Sequence, residues 1–255
     1  MGDIFVQDFA YFVQECEGKN PADWVDNEKG VHEKINRYDQ WYVTSDGTIL
    51  NSNGTQSMFS HVDKNGITVV ATDTRQGVDR SKWQGAELIS PIFDRSQFEQ
   101  FSHRLDYFIS EAKMRGATFN PSLCHSFQVH VGLPDMTLEQ CKSLLNEVFT
   151  TQDYWKSFRL KKAYNPITKK HTKAIIEAET FEELLAGYRL DTPEEDRFKW
   201  RKEVCLQPWL LHKLRGGNKP TLEFRVFPST SNVSDLLTWI DLCLSFVENS
   251  DAINA

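Results

Sequence analysis

The strongest constraint on the fold of this chain is the strict alternation in Thr221-Leu222-Glu223-Phe224-Arg225-Val226-Phe227. Successive side chains of a strand point to opposite faces, so Leu222, Phe224 and Val226 share one face while Glu223 and Arg225 share the other. Phe127-Gln128-Val129-His130-Val131 repeats the pattern, with Gln128 and His130 opposite an apolar side. Read as a strand, Tyr11 to Glu17 also sets Glu15 and Glu17 on one face, two residues apart. Three strands then present acid, imidazole and guanidinium groups from one side of a sheet, and apolar elements must cover the other.

Those elements are legible as helices. After Ser96 the positions Phe98, Phe101, Leu105, Phe108, Ile109 and Ala112 step by three and four, and Gly116 supplies a stop. Thr137 with Gln140 forms a capping box ahead of Leu138, Cys141, Leu144, Leu145 and Val148. Thr180 with Glu183 predicts a second box before a short helix through Leu184 and Leu185, and a long helix follows Ser231. Further strand-like runs are Gln40 to Thr44, Ile67 to Thr72 and Gly85 to Ser90, separated by turn clusters such as Asn51-Ser52-Asn53-Gly54. Strand and helix do not alternate strictly, which predicts an α+β fold: an antiparallel or mixed curved sheet with a polar concave face, and helices on its other face. Nothing divides the chain convincingly, so residues 1–255 are expected to form a single domain. The basic stretch Arg159 to Lys173 and the densely charged Thr192 to Arg201 predict a lid or insertion over 159–201.

Charge narrows the function classes. Lys and Arg number 29 against 36 Asp and Glu, a formal charge of −7 with an isoelectric point near 5.5, which argues against a nucleic-acid groove. The five cysteines are scattered without a C-x-x-C pair, as expected in a reducing compartment. No apolar run approaches a membrane span, and Asp3, Asp8, Glu15 and Glu17 interrupt the start of the chain, so a cytoplasmic protein without a membrane partner is expected.

The polar strand faces leave two readings open. Alternating polar positions are commonly the solvated side of an antiparallel sheet. A solvated side, however, is usually furnished with Lys, Thr, Ser and Gln, whereas these strands offer Glu15, Glu17, Glu87, His130 and Glu223. Carboxylates gathered on one face repel unless cations lie between them, and a hard divalent cation with oxygen ligands answers that need.

Taken in order, F-V-Q-E-C-E (12–17), W-Y-V-T-S-D-G-T-I (41–49), G-A-E-L-I-S-P-I (85–92), S-F-Q-V-H-V-G (126–132) and T-L-E-F-R-V-F (221–227) with Trp239 resemble the amidoligase family, over about residues 10–248. That family is a branch of the glutamine synthetase and glutamate–cysteine ligase superfamily of ATP-dependent carboxylate–amine ligases. The resemblance implies a glutamine synthetase catalytic-domain-like sheet that binds ATP with Mg²⁺ or Mn²⁺. It implies metal-holding roles for Glu15, Glu17, Glu87, Glu223 and His130. Arg225 would contact the transferred phosphate and act catalytically with Glu223, and Asp46 matches the acidic residue of a D-G-[ST] turn. Gln128, His130, Arg225, Arg159 and Arg197 are the implied nucleotide-side residues, with Tyr164-Asn165-Pro166 and Arg197-Phe198 matching aromatic-containing elements of the family. One position departs: the family reads H-V-H where Gln128-Val129-His130 stands here, although a glutamine oxygen still ligates a hard cation.

The implied activity is an ATP-dependent carboxylate–amine ligase that forms an amide or isopeptide bond through an acyl phosphate, from small-molecule or peptide carboxylate and amine substrates. The alternative is a catalytically degraded relative that binds nucleotide or a small ligand without turnover. No G-x-x-x-x-G-K-[ST] loop occurs, which is immaterial where nucleotide lies on a sheet. The basic cluster Lys161, Lys162, Lys169, Lys170, His171 and Lys173 reads either as a solvated loop or as a lid for anions. Cys124 reads as a small buried thiol, since no base is placed beside it by sequence.

Overall fold

A computed structural model describes residues 6–18, 25–26, 30–31, 40–45, 59–62, 68–71, 86–115, 117, 126–158, 167–190, 202–217 and 219–254. The architecture is α+β with small antiparallel sheets, and it divides into two compact units, Met1–His125 and Ser126–Ala255. Among the described residues no helix is long and apolar enough to cross a membrane.

The first unit opens with helix α1 (Val6–Cys16), where a strand had been expected over Tyr11 to Glu17. The reason is periodicity: Phe9, Val13 and Cys16 recur at intervals of four and three, and Phe9 and Val13 are buried, so a helical stripe wins over the two-residue alternation. Short strands β1 (Val25–Asp26), β2 (Gly30–Val31), β3 (Tyr42–Ser45) and β6 (Ala86–Ile89) form an antiparallel sheet in the order β1-β2-β3-β6. Strands β4 (Phe59–Val62) and β5 (Thr68–Ala71) pair as a separate antiparallel ribbon. A 3₁₀ turn (Arg95–Gln97) capped by Asp94 leads into α2 (Phe98–Met114), which buries the predicted Phe101, Leu105, Phe108, Ile109 and Ala112. The core of this unit is aromatic, with Trp41 of the β3 strand region lying 5.2 Å from Phe101 and 5.3 Å from Phe108.

The second unit is built on strands β7 (Ser126–Gly132), β8 (Val204–Cys205) and β9 (Thr221–Pro228), antiparallel in the order β7-β9-β8. Helices α3 (Leu138–Lys156) and α7 (Val233–Glu248) supply aromatic cover: Trp155 and Phe246 lie 5.0 and 5.9 Å from Phe224, and Trp239 stacks on Phe227 at 5.0 Å. Phe224 and Phe227 are an odd number of residues apart, so a regular strand would have sent them to opposite faces. A bulge reconciles them. Phe127 pairs with Phe227 and Val129 with Phe224, so Gln128 stands opposite both Arg225 and Val226.

Helices α4 (Lys169–Glu177) and α5 (Phe181–Tyr188) pack closely within the segment expected to be a lid. Gly187 permits the approach, because a Cβ there would lie 3.1 Å from the backbone carbon of Ala174. The Thr137 box is formed as predicted. At Thr180 the hydroxyl accepts from the Glu183 N–H, but the Glu183 carboxylate accepts from the Glu179 N–H instead. Helix α6 (Gln207–Arg215) starts with a proline in its first turn and ends at Gly216 in the left-handed region, and α8 (Asp251–Asn254) closes the described chain.

Candidate functional site

The β7–β9 ladder brings four of the predicted residues together. His130 and Glu223 are direct cross-strand partners, and His130 Nε2 lies 3.4 Å from Glu223 Oε1. Arg225, two residues along the same face, donates from Nη1 to that same Glu223 oxygen and to Gln128 Oε1 at 2.8 Å. Thr221 completes the face: its hydroxyl lies 3.0 Å from His130 Nδ1. A carboxylate only accepts, so the Nε2 proton of His130 points at Glu223, and Nδ1 pairs with the Thr221 hydroxyl. The imidazole is thereby fixed at both nitrogens.

This face is far from solvated. Glu223 is 7% and Arg225 9% exposed, while His130 stays open to solvent. Buried charges need partners, and here each has one. Burial acts to raise the Glu223 pKa, but the hydrogen bond from His130 and the charge of Arg225 outweigh it and hold the carboxyl at about 2, below its ordinary 4.5. Around it lie groups that are neutral: burial pushes the Tyr188 hydroxyl and the Cys205 thiol up, and the Glu223 charge adds to both.

Thr221, Tyr188 and Cys205 are absent from the sequence-based assignment. Thr221 was within reach, since it shares parity with Glu223 and Arg225 on the same strand. Tyr188 and Cys205 come from other elements, and no local signal connects them to Glu223.

In the first unit the E-x-E carboxylates do not share a face, which corrects the strand reading. Positions two apart on a helix lie about 200° around the axis. Glu15 is exposed on α1, whereas Glu17, just past its end, accepts from Arg104 Nη2 at 2.8 Å. Arg104 also donates to the Cys16 carbonyl at 2.6 Å, which ties the end of α1 to α2. Gln14 is fully buried, with its amide donating to the Trp41 carbonyl at 3.1 Å and its oxygen accepting from Gln40 at 3.3 Å. Glu87 is half-buried on β6, in register with Thr44 of β3. Asp46, Cys124, Arg159, Lys161, Lys162, Tyr164-Asn165-Pro166 and Arg197-Phe198 lie outside the described residues.

Among the described residues no three His, Cys, Asp or Glu side chains gather as a metal centre requires. In kind, the donors on the β7–β9 face suit a hard cation, because Glu223, Gln128 and His130 offer carboxylate, amide oxygen and imidazole. In the geometry observed the charge of Glu223 is met by Arg225 and His130. The basic cluster is split: Lys169, Lys170 and Lys173 lie on the exposed side of α4, while His171 is buried with Nδ1 2.7 Å from the Thr168 hydroxyl.

A family model described as "Putative amidoligase enzyme" matches residues 9–247. No curated protein and no solved structure matches the chain.

Proposed function

The chain belongs to the amidoligase family of amide-bond-forming ligases, and from that membership we propose that it is an ATP-dependent carboxylate–amine ligase with a glutamine synthetase-like catalytic arrangement. A substrate carboxylate oxygen attacks the γ-phosphorus of ATP and ADP leaves. The nitrogen of an amine then attacks the acyl carbon of the resulting acyl phosphate, inorganic phosphate leaves, and the nitrogen loses a proton as the amide forms. The observation that supports a phosphoryl-transfer role for this sheet is the Arg225–Glu223–His130 network. Arg225 is a guanidinium fixed before any ligand arrives, and such preorganised charge is what lowers the barrier of phosphoryl transfer. Glu223 fixes Arg225, and Gln128 holds it from the neighbouring strand. The family position that commonly holds histidine is therefore occupied by a residue engaged with the catalytic arginine.

Mg²⁺ or Mn²⁺ would be held by Glu223 and His130 and would screen the phosphate charges. ATP turnover tests the reading. ADP and phosphate should accumulate only when a carboxylate and an amine are both supplied with a divalent cation, and Glu223→Gln should abolish that turnover while circular dichroism shows an intact fold. Nucleotide binding without turnover in any substrate mixture would favour a binding protein on the same fold, and unchanged turnover in Glu223→Gln would remove the assignment of this face.

A further inference from the structure

Between α3 and the residues that lead into β8 lies a small cavity of about 10 Å³ that no part of the ligase reading uses. Its walls are deeply buried: Val148, Trp155, Val204 and Lys202 are each at most 2% exposed. Gln152 lines it from α3, and its Oε1 is shielded from solvent without a hydrogen-bond partner among the described residues. An ammonium carries three donors, and the His171 Nε2 that lies 3.4 Å from Lys202 Nζ meets one of them. Glu203 also lines the cavity but is already engaged, so the two groups that define the site are Gln152 and Lys202.

We infer that this cavity is the site of one structural water molecule, which bridges Lys202 Nζ to Gln152 Oε1 and so anchors the start of β8 to α3. Size sets the first limit, because ~10–15 Å³ is the room a single water needs and no organic ligand fits it. Charge sets the second. A cation would face the like charge of Lys202, and an anion would face the amide oxygen of Gln152. Water accepts from the one and donates to the other, which satisfies both. Cavities that stay dry are lined by apolar groups alone, whereas an amide oxygen buried without a partner is costly. The bridge also has a place in the fold. Strand β8 is two residues long, Cys205 on it pairs with Glu223, and the carbonyl of the preceding Glu203 accepts from the Arg225 N–H at 2.8 Å. So short a strand makes few ladder bonds, and a water that joins Lys202 to α3 adds a tie from outside the ladder. The site stands on its own residues and does not depend on turnover of ATP.

Nuclear magnetic resonance on the full isotope-labelled chain provides the test. In water-selected spectra the methyl protons of Val148 and Val204, which lie too deep to meet bulk solvent, should show NOE and ROE contacts of opposite sign to the water resonance, the pattern of slowly exchanging water. Gln152→Met keeps the length of the side chain and removes the acceptor, and it should abolish those contacts. Contacts relayed by proton exchange at the Lys202 ammonium would survive that change, so the variant separates the two origins. Oxygen-17 relaxation dispersion should fall by about one long-lived water between the wild type and Gln152→Met. Lys202→Met removes the donor instead and should also lose the contacts, which keeps the test open if Gln152→Met does not fold. The inference is overturned if the wild type shows no such contacts, if they survive in either variant, or if the dispersion is the same in the wild type and Gln152→Met.

Discussion

Acid should strip stability from the second unit through one side chain, Glu223. Its carboxyl is held at about 2 in the fold against an ordinary 4.5. The folded value is the depressed one, so the stabilisation is complete above pH 4.5 and is lost as the pH falls toward 2. At about 1.4 kcal/mol per pH unit, that gap is worth about 3 kcal/mol at neutral pH, of which about 2 kcal/mol is gone by pH 3. Glu223→Gln removes the titration and keeps the shape. Urea unfolding of both proteins at pH 7, 5 and 3 isolates the effect, because every other titrating group is common to the two. The wild type should lead at pH 7, and its lead should shrink by about 2 kcal/mol at pH 3. A difference that stays the same at pH 7 and pH 3 would refute the claim that Arg225 and His130 stabilise an ionised Glu223.

Gly187→Ala should lose stability even though alanine is the better helix former by ~1 kcal/mol, because its Cβ meets the Ala174 backbone at 3.1 Å and overpacking costs about 1–3 kcal/mol. Thermal unfolding decides the sign, and a raised melting temperature would mean that α4 can give way. Trp155→Ala should cost about 3–5 kcal/mol, read from the urea midpoint, since the ring is fully buried against Phe224 and Phe246. Lys202, 2% exposed with Nζ 3.4 Å from His171 Nε2, has a pKa lowered by burial. A buried lysine lowered in this way penalises the fold while protonated, so Lys202→Met should be the more stable protein at pH 7. The wild type should close that gap as the pH rises toward the ordinary 10.5, and a pH-independent gap would contradict it. Thr137→Ala removes the oxygen that accepts from Gln140 and should cost about 1 kcal/mol; no change in stability would show that α3 does not need its cap.

Much of the second unit was legible because its signals are local. The Thr137 box, the stripe after Ser231 and the alternation at Val129–Val131 and Thr221–Arg225 each depend on neighbours in the chain and form as read, whereas the bulge interrupts the alternation after Arg225. Parity put His130 and Glu223 each on the polar side of its strand, and the β7–β9 register then paired them. What failed also has a physical cause. At residues 11–17 two periods coexist, and the acidic pair drew the strand reading although the buried Phe9 and Val13 obey the helical period. The packing of α4 on α5 depends on the missing side chain of Gly187 meeting Ala174, a tertiary fact that a charged stretch conceals. The burial of Glu223 and Arg225 was equally hidden, because alternation tells which residues share a side and not what lies against it.

The bulge on β9 has a consequence for alignment. An unbroken antiparallel ladder can slide by two residues and still keep every apolar group inward, so hydrophobic patterning alone leaves a set of permitted registers. With Arg225 and Val226 together facing Gln128, a slide would carry the extra residue away from the one place where Phe227 can turn to meet Trp239. The strand is thereby indexed, as a notch indexes a gear, and the His130–Glu223 pairing inherits that precision. Deleting Val226 would remove the notch and leave Phe227 two residues from Phe224, still on the Trp239 side of a plain ladder whose register only hydrophobic patterning would then set.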